Sequence, residues 1–141
     1  MILEFFKPNS KSKLKAPFFE GGIKAGFPSP ATDFQEERIS LDKVVLGASP
    51  STKFYARVDG DSMKDAGILH GSIIVVDKAG EPANNKIAVC VVNSEFTLKR
   101  LKVEKGLVWL MPENDKFKPL LINDSDSFEI WGIVTHCLNY Y

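Results

Sequence analysis

The chain has 141 residues, the length of one domain with an arm, and can bury a core without metals or disulfides. Its 44% hydrophobic and 26% charged residues are those of a globular protein. Eighteen basic residues balance eighteen acidic ones, which excludes a whole-chain field toward nucleic acid or anionic membrane. The balance is uneven along the chain. Residues 1–25 hold five lysines against Glu4 and Glu20, so the remainder is acidic and the first 25 residues stand apart as a separate piece.

No apolar run approaches the roughly 18 residues that would span a bilayer. The N-terminal lysines follow the short apolar stretch Met1–Phe6 instead of preceding an apolar segment, which is not the order of a secretory signal. Cys90 and Cys137 lie in apolar strand-like runs with no metal-ligand or disulfide spacing, so no metal or cofactor is expected and a reducing, cytoplasmic setting fits.

In chain order, residues 1–30 are predicted as an arm. Pro8, Pro17, Pro28, Pro30, Gly21, Gly22 and Gly26 leave no room for a sustained helix, and Phe27-Pro28-Ser29-Pro30 should be extended. Asp33–Leu46 is the best helix candidate, or a short helix followed by an extended stretch. From residue 53 the sequence predicts strands at Phe54–Val58, Ser72–Asp77, Lys86–Val92, Phe96–Val103, Leu107–Met111 and Phe128–Leu138, with Asn93-Ser94-Glu95 as a hairpin connection. Closely spaced short strands imply a mainly β domain of curled or packed antiparallel sheets over residues 31–141. Half of the 50 or so residues before the first of these strands are a Pro/Gly arm, which leaves no space for a helix-turn-helix module, so direct sequence-specific DNA binding is not expected.

The most informative chemistry is in Val58-Asp59-Gly60-Asp61-Ser62-Met63-Lys64. A strand stops at Gly60, and the turn after it can project the Ser62 hydroxyl, although Ser62 or Asp61 could equally cap a helical turn. Lys64 stands where a G-x-S-x-G elbow needs glycine, and Asp65 stands where S-x-x-K needs lysine. His70 and His136 would allow a histidine triad, but their positions read as surface or satisfied histidines. A serine–lysine dyad remains. Lys99 shares its strand face with Thr97, Leu101 and Val103, surroundings in which an amine could be kept neutral. Periodicity alone leaves open that Lys99 is simply a solvated strand lysine.

At these residues the chain resembles the LexA/UmuD family of self-cleaving serine–lysine peptidases, and within it the UmuD-type mutagenesis proteins. Four segments carry the resemblance: Ala25-Gly26 with Phe27-Pro28-Ser29-Pro30-Ala31; Gly60-Asp61-Ser62-Met63; Glu95-Phe96-Thr97-Leu98-Lys99-Arg100; and Leu110-Met111-Pro112-Glu113-Asn114 followed by Trp131-Gly132-Ile133-Val134. Ala25 stands where UmuD proteins often have cysteine, and it fits the same small pocket.

The resemblance implies Ser62 as nucleophile, Lys99 as general base and Ala25–Gly26 as the bond cut. The backbone amides of Gly60, Asp61 and Ser62 are the expected oxyanion donors. It further implies a homodimer, a RecA filament on single-stranded DNA as co-protease, and, after cleavage, a complex with a Y-family translesion polymerase and its sliding clamp. Phe128, Ile130 and Trp131 are expected either in the dimer interface or in the β core. The rival expectations are a peptidase-fold binding module that no longer cuts, and a trans-acting peptidase of signal-peptidase type, which would need a membrane anchor or an apolar docking surface.

Overall fold

A computed structural model describes residues 2–9, 16–19 and 36–141. The expected cleavage bond Ala25–Gly26, the Phe27–Pro30 segment and the expected domain boundary at residue 30 lie outside the described residues. The chain divides into two compact units, Asn9–Pro50 and Met1–Pro8 with Ser51–Tyr141.

The larger unit begins with β1 (Ile2–Phe6), and the smaller contributes β2 (Ala16–Phe19), β3 (Glu36–Ile39) and helix α1 (Leu41–Leu46). The chain then runs through β4 (Lys53–Asp59), a 3-10 turn (Lys64–Ala66), β5 (Ile73–Asp77), β6 (Ile87–Val92), β7 (Glu95–Glu104), β8 (Leu107–Met111), β9 (Leu120–Leu121) and β10 (Phe128–Leu138). Among the described residues one curled antiparallel sheet has the order β1-β4-β5-β10-β6-β7-β8-β9, and β2 pairs only with β3. No helix of the described residues is long and apolar enough to cross a membrane.

Six predicted strands match β4, β5, β6, β7, β8 and β10 to within a residue or so at each end. The hairpin between β6 and β7 turns on Asn93 and Ser94, both with positive φ (48° and 70°), since Val92 already pairs with Glu95. Positive φ at both central residues matches the right-handed twist of the flanking strands.

The region before residue 53 differs from its prediction. Asp33–Leu46 is not one helix, nor a helix followed by a strand. The order is reversed: β3 pairs with β2, and a six-residue helix follows. Ser40, extended at φ −99° and ψ 120°, starts that helix, and Gly47 at φ 60° ends it. Pairing with a distant segment has overridden the local helical period. The N-terminal segment also does more than form an arm, since Ile2–Phe6 adds a strand at the edge of the main sheet.

Both faces of that sheet are covered. One cluster contains Ala56, Val58, Met63, Ile68, Ile74, Val76, Val89 and Leu98. The other contains Ala88, Cys90, Leu101, Leu110 and Ile133. Along β6, Ala88 and Cys90 turn to one cluster and Val89 between them to the other, which is why this strand reads as a continuous apolar run. Phe128 and Ile130 pack against the second cluster and Trp131 against the first. The alternation breaks at a register shift between Ile130 and Gly132. A Cβ on Gly132 would lie 2.5 Å from Val76 Cγ1, so only glycine fits where β10 crosses β5.

Candidate active site

The base strand is fixed first. β7 lies between β6 and β8, with Lys99 paired to Ala88 and Thr97 to Cys90. Paired residues share a face, so Lys99 projects on the side of Ala88, Cys90 and Leu101, none of them more than 2% exposed. Burial holds the Lys99 amine below the usual lysine range, with the Cys90 thiol a smaller opposing influence. The same burial pushes the Cys90 thiol up to about 12.

The nucleophile turn arrives from β4. Asp59 ends the strand, and Gly60 adopts φ 122°, a backbone angle that side-chain-bearing residues rarely take. Met63, fully buried, anchors in the first cluster. The turn then closes with Lys64, Ala66, Gly67 and Ile68 amides donating to carbonyls within residues 61–64. Ser62 is 2% exposed, and its Oγ lies 3.3 Å from Lys99 Nζ. The two residues, 37 apart in sequence, are thus brought together.

Lys99 Nζ also lies 2.9 Å from Thr97 Oγ1 and 3.0 Å from the Leu98 carbonyl oxygen. These contacts orient the amine. A neutral amine has two N–H donors and one lone pair. If Thr97 Oγ1 and Leu98 O accept the two hydrogens, the lone pair is left facing Ser62 Oγ, and the serine hydroxyl donates to it. That is the geometry of proton removal by a general base. The strand period alone makes Thr97 a face-mate of Lys99, and a hydroxyl two positions before a lysine on one strand face is the sequence signal for this contact.

A second group missed in the sequence holds the turn in place. The Glu113 amide donates to the Ser62 carbonyl at 2.8 Å, and the Asp65 amide donates to the Glu113 carbonyl at 2.8 Å. Asn114, 5% exposed, donates from Nδ2 to the Asp61 carbonyl at 2.9 Å and accepts the Lys116 amide at Oδ1. Arg100, next to the base, pairs through Nε with the Glu113 carboxylate and donates from its terminal nitrogen to the Asn85 carbonyl. Residues 113–114 therefore tie the nucleophile turn to the strand that carries the base. The Leu110–Asn114 segment carries part of the family resemblance, but about fifty residues separate it from Ser62 and nothing local announces the contact.

Of the three expected oxyanion amides, the Gly60 N–H is directed to His70 Nδ1 at 3.2 Å. His70 Nδ1 also lies 3.2 Å from an Asp59 carboxylate oxygen. His136 Nδ1 lies beside the neighbouring Thr135 hydroxyl. The histidines thus engage Gly60, Asp59 and Thr135, and the group facing Ser62 Oγ at 3.3 Å is the Lys99 amine.

A serine hydroxyl against a desolvated lysine on a curled β sheet is the arrangement that a serine peptidase with an amine base would use. The sequence comparisons place the chain more closely. The pattern described as Peptidase S24-like matches residues 17–135. Protein MucA of Salmonella typhimurium is 36% identical over 140 residues, covering 98% of this chain and 94% of its own. Protein SamA of Salmonella typhimurium is 38% identical over 120 residues, covering 85% and 82%. The LexA repressor of Bordetella pertussis is 35% identical over 113 residues, 80% of this chain and 51% of the repressor. The chain belongs to the Peptidase S24-like family, among the UmuD-like proteins of SOS mutagenesis, with LexA also a homologue in this family of self-cleaving serine peptidases.

Proposed function

We propose that this protein cuts its own Ala25–Gly26 bond with Ser62 and Lys99. Ser62 Oγ attacks the Ala25 carbonyl carbon as its proton passes to Lys99 Nζ. The C–N bond to Gly26 then breaks, and Lys99 returns the proton to the leaving amine. Water, deprotonated by the same lysine, hydrolyses the ester on Ser62. Asp61 and Ser62 amides are the remaining candidates for stabilising the oxyanion. Small residues at 25 and 26 let an extended segment approach a dry lysine without steric block.

The observation that carries this reading is the 3.3 Å approach of Lys99 Nζ to Ser62 Oγ, with the amine's pKa lowered by burial. Family membership supports the rest. A RecA filament on single-stranded DNA acts as co-protease by stabilising the docked segment, a shift of population that needs no added catalytic group. The protein works as a cytoplasmic homodimer, and its product, beginning at Gly26, serves a Y-family translesion polymerase in contact with the sliding clamp.

The test is incubation of the purified chain at about pH 10, followed by mass spectrometry and N-terminal sequencing. A product starting at Gly26 is expected, and the rate should rise with pH, because the neutral amine grows in proportion as pH climbs toward the lowered lysine pKa. Ser62→Ala and Lys99→Ala should each lower the rate by at least about a thousandfold. Continued cutting in either variant removes that residue from its role.

A further inference from the structure

The bond proposed for cleavage lies after two strands, not after a bare tail. β1 is hydrogen-bonded to β4 in the register Ile2↔Asp59, Leu3↔Val58, Glu4↔Arg57, Phe5↔Ala56 and Phe6↔Tyr55. Leu3 and Phe5 turn inward and pack on the first core cluster, while Ile2, Glu4 and Phe6 are exposed. The Phe5 ring sits 4.7 Å from Trp131 and 5.0 Å from Phe96, and Trp131 also meets Phe54 at 5.1 Å. Among the described residues no other strand pairs with β4 on that side, because the sheet order begins β1-β4. The Val58 amide is given to Ser72 on the far side, so by alternation the amides of Tyr55, Arg57 and Asp59 face β1.

We infer that β1 is a removable cover, and that cleavage opens the β4 edge and the Phe96–Trp131 face to an extended segment of a partner protein. This rests on the proposed cut after Ala25. While the chain is intact, β1 is tethered to its site at an effective concentration on the order of a millimolar. Cutting turns it into part of a separate peptide, and at micromolar protein the local concentration falls about a thousandfold. What then holds it is one edge of backbone pairing and two half-buried side chains, set against the entropy of ordering five residues. β2 leaves on the same peptide, and its pairing with β3 is a two-stranded ribbon, which is marginal alone.

The occupant's chemistry is read from the strand it replaces. It adds antiparallel to β4, with apolar and aromatic residues at alternate positions in place of Leu3 and Phe5. Between them an acidic residue replaces Glu4, which stands opposite Arg57. This is strand addition to a sheet edge, with backbone pairing giving affinity and alternate side chains giving specificity.

The test uses the full chain carrying Ser62→Ala, which stays uncut, and the same chain carrying Phe5→Asp as well. Hydrogen exchange at Tyr55, Arg57 and Asp59 should quicken at least tenfold in the double variant, with the β6–β7 amides unchanged. Unchanged exchange at the three β4 amides would overturn the cover. A fluorescent peptide of residues 1–9 should bind the double variant and the self-cleaved product at least tenfold more tightly than the uncut Ser62→Ala chain, and a peptide carrying Leu3→Asp and Phe5→Asp should bind neither. Equal binding to the uncut chain, retention of the cut fragment through gel filtration, or strand exchange between copies of this chain in light scattering would each overturn the inference. Phe5→Ala serves in place of Phe5→Asp if circular dichroism shows the charge has unfolded the sheet. The exchange and peptide arms on the uncut variants proceed whether or not the wild type cleaves itself, so failure of cleavage and failure of the cover are read separately.

Discussion

Lys99 and Ser62, 3.3 Å apart, are held by different physics. Lys99 belongs to a central strand, paired on both sides and flanked by Ala88, Cys90 and Leu101, so the sheet that positions it also dries it. Ser62 belongs to a turn beyond the end of β4. Its position depends on the buried Met63 below and on the Glu113–Asn114 segment across from it. The Lys99 amine thus has its proton affinity set by the core, and the Ser62 hydroxyl has its aim set by a clamp. Changes on the base side should alter pH dependence, and changes on the clamp side should alter rate at every pH.

On the clamp side, Asn114→Ala removes the donor to the Asp61 carbonyl and should slow self-cleavage about tenfold to a hundredfold, the cost of misplacing a nucleophile by around an ångström. The pH at half-maximal rate should not move, and a rate profile displaced along the pH axis would break the comparison. Stability should fall by about 1–3 kcal/mol, since a carbonyl in a tight turn loses its partner. The Arg100–Glu113 pair is about one-third exposed on each side, so its role is to hold Glu113 in place and not to supply energy.

On the base side, Thr97→Val leaves one lysine N–H without its acceptor and lets the lone pair turn away from Ser62. A loss of about tenfold is expected, with recovery in Thr97→Ser, whose hydroxyl can reach the same nitrogen. Failure of serine to restore the rate would assign Thr97 to packing alone.

Lys99→Met sharpens the same point through stability. The folded-state pKa of Lys99 lies below its unfolded value, so between the two the unfolded chain binds more protons and wild-type stability rises with pH. The cost of burying the charge is fully present below the folded pKa and is relieved as pH climbs through it. Lys99→Met should therefore be more stable than wild type at neutral pH, with the gap narrowing toward pH 10. Denaturant melts at several pH values measure this, and a gap that does not change with pH would mean the amine is not desolvated.

The smallest effect concerns the thiols. Cys90 is fully buried with its pKa near 12, and Cys137 is only half-buried with a thiol raised mainly by burial. A thiol reagent at neutral pH should label Cys137 slowly and Cys90 only on unfolding. Early labelling of Cys90 would mean that the wall beside Lys99 opens.

The strands from residue 53 onward are legible from local signals, alternating or continuous apolar runs broken by Asn-Ser, Gly and Pro. So are the apolar and small face-mates of Lys99, since side-chain direction in a strand has a period of two. The remaining features depend on pairing between distant segments. The ladder with β2 made a strand of Glu36–Ile39, where local spacing suggested helix. The free edge of β4 made a strand of Ile2–Phe6. The curl of the sheet carried Ser62 to within 3.3 Å of Lys99 and brought Asn114 beneath the same turn. Local propensity is a few tenths of a kcal/mol per residue, so a ladder or a buried ring overrides it wherever the fold brings one within reach.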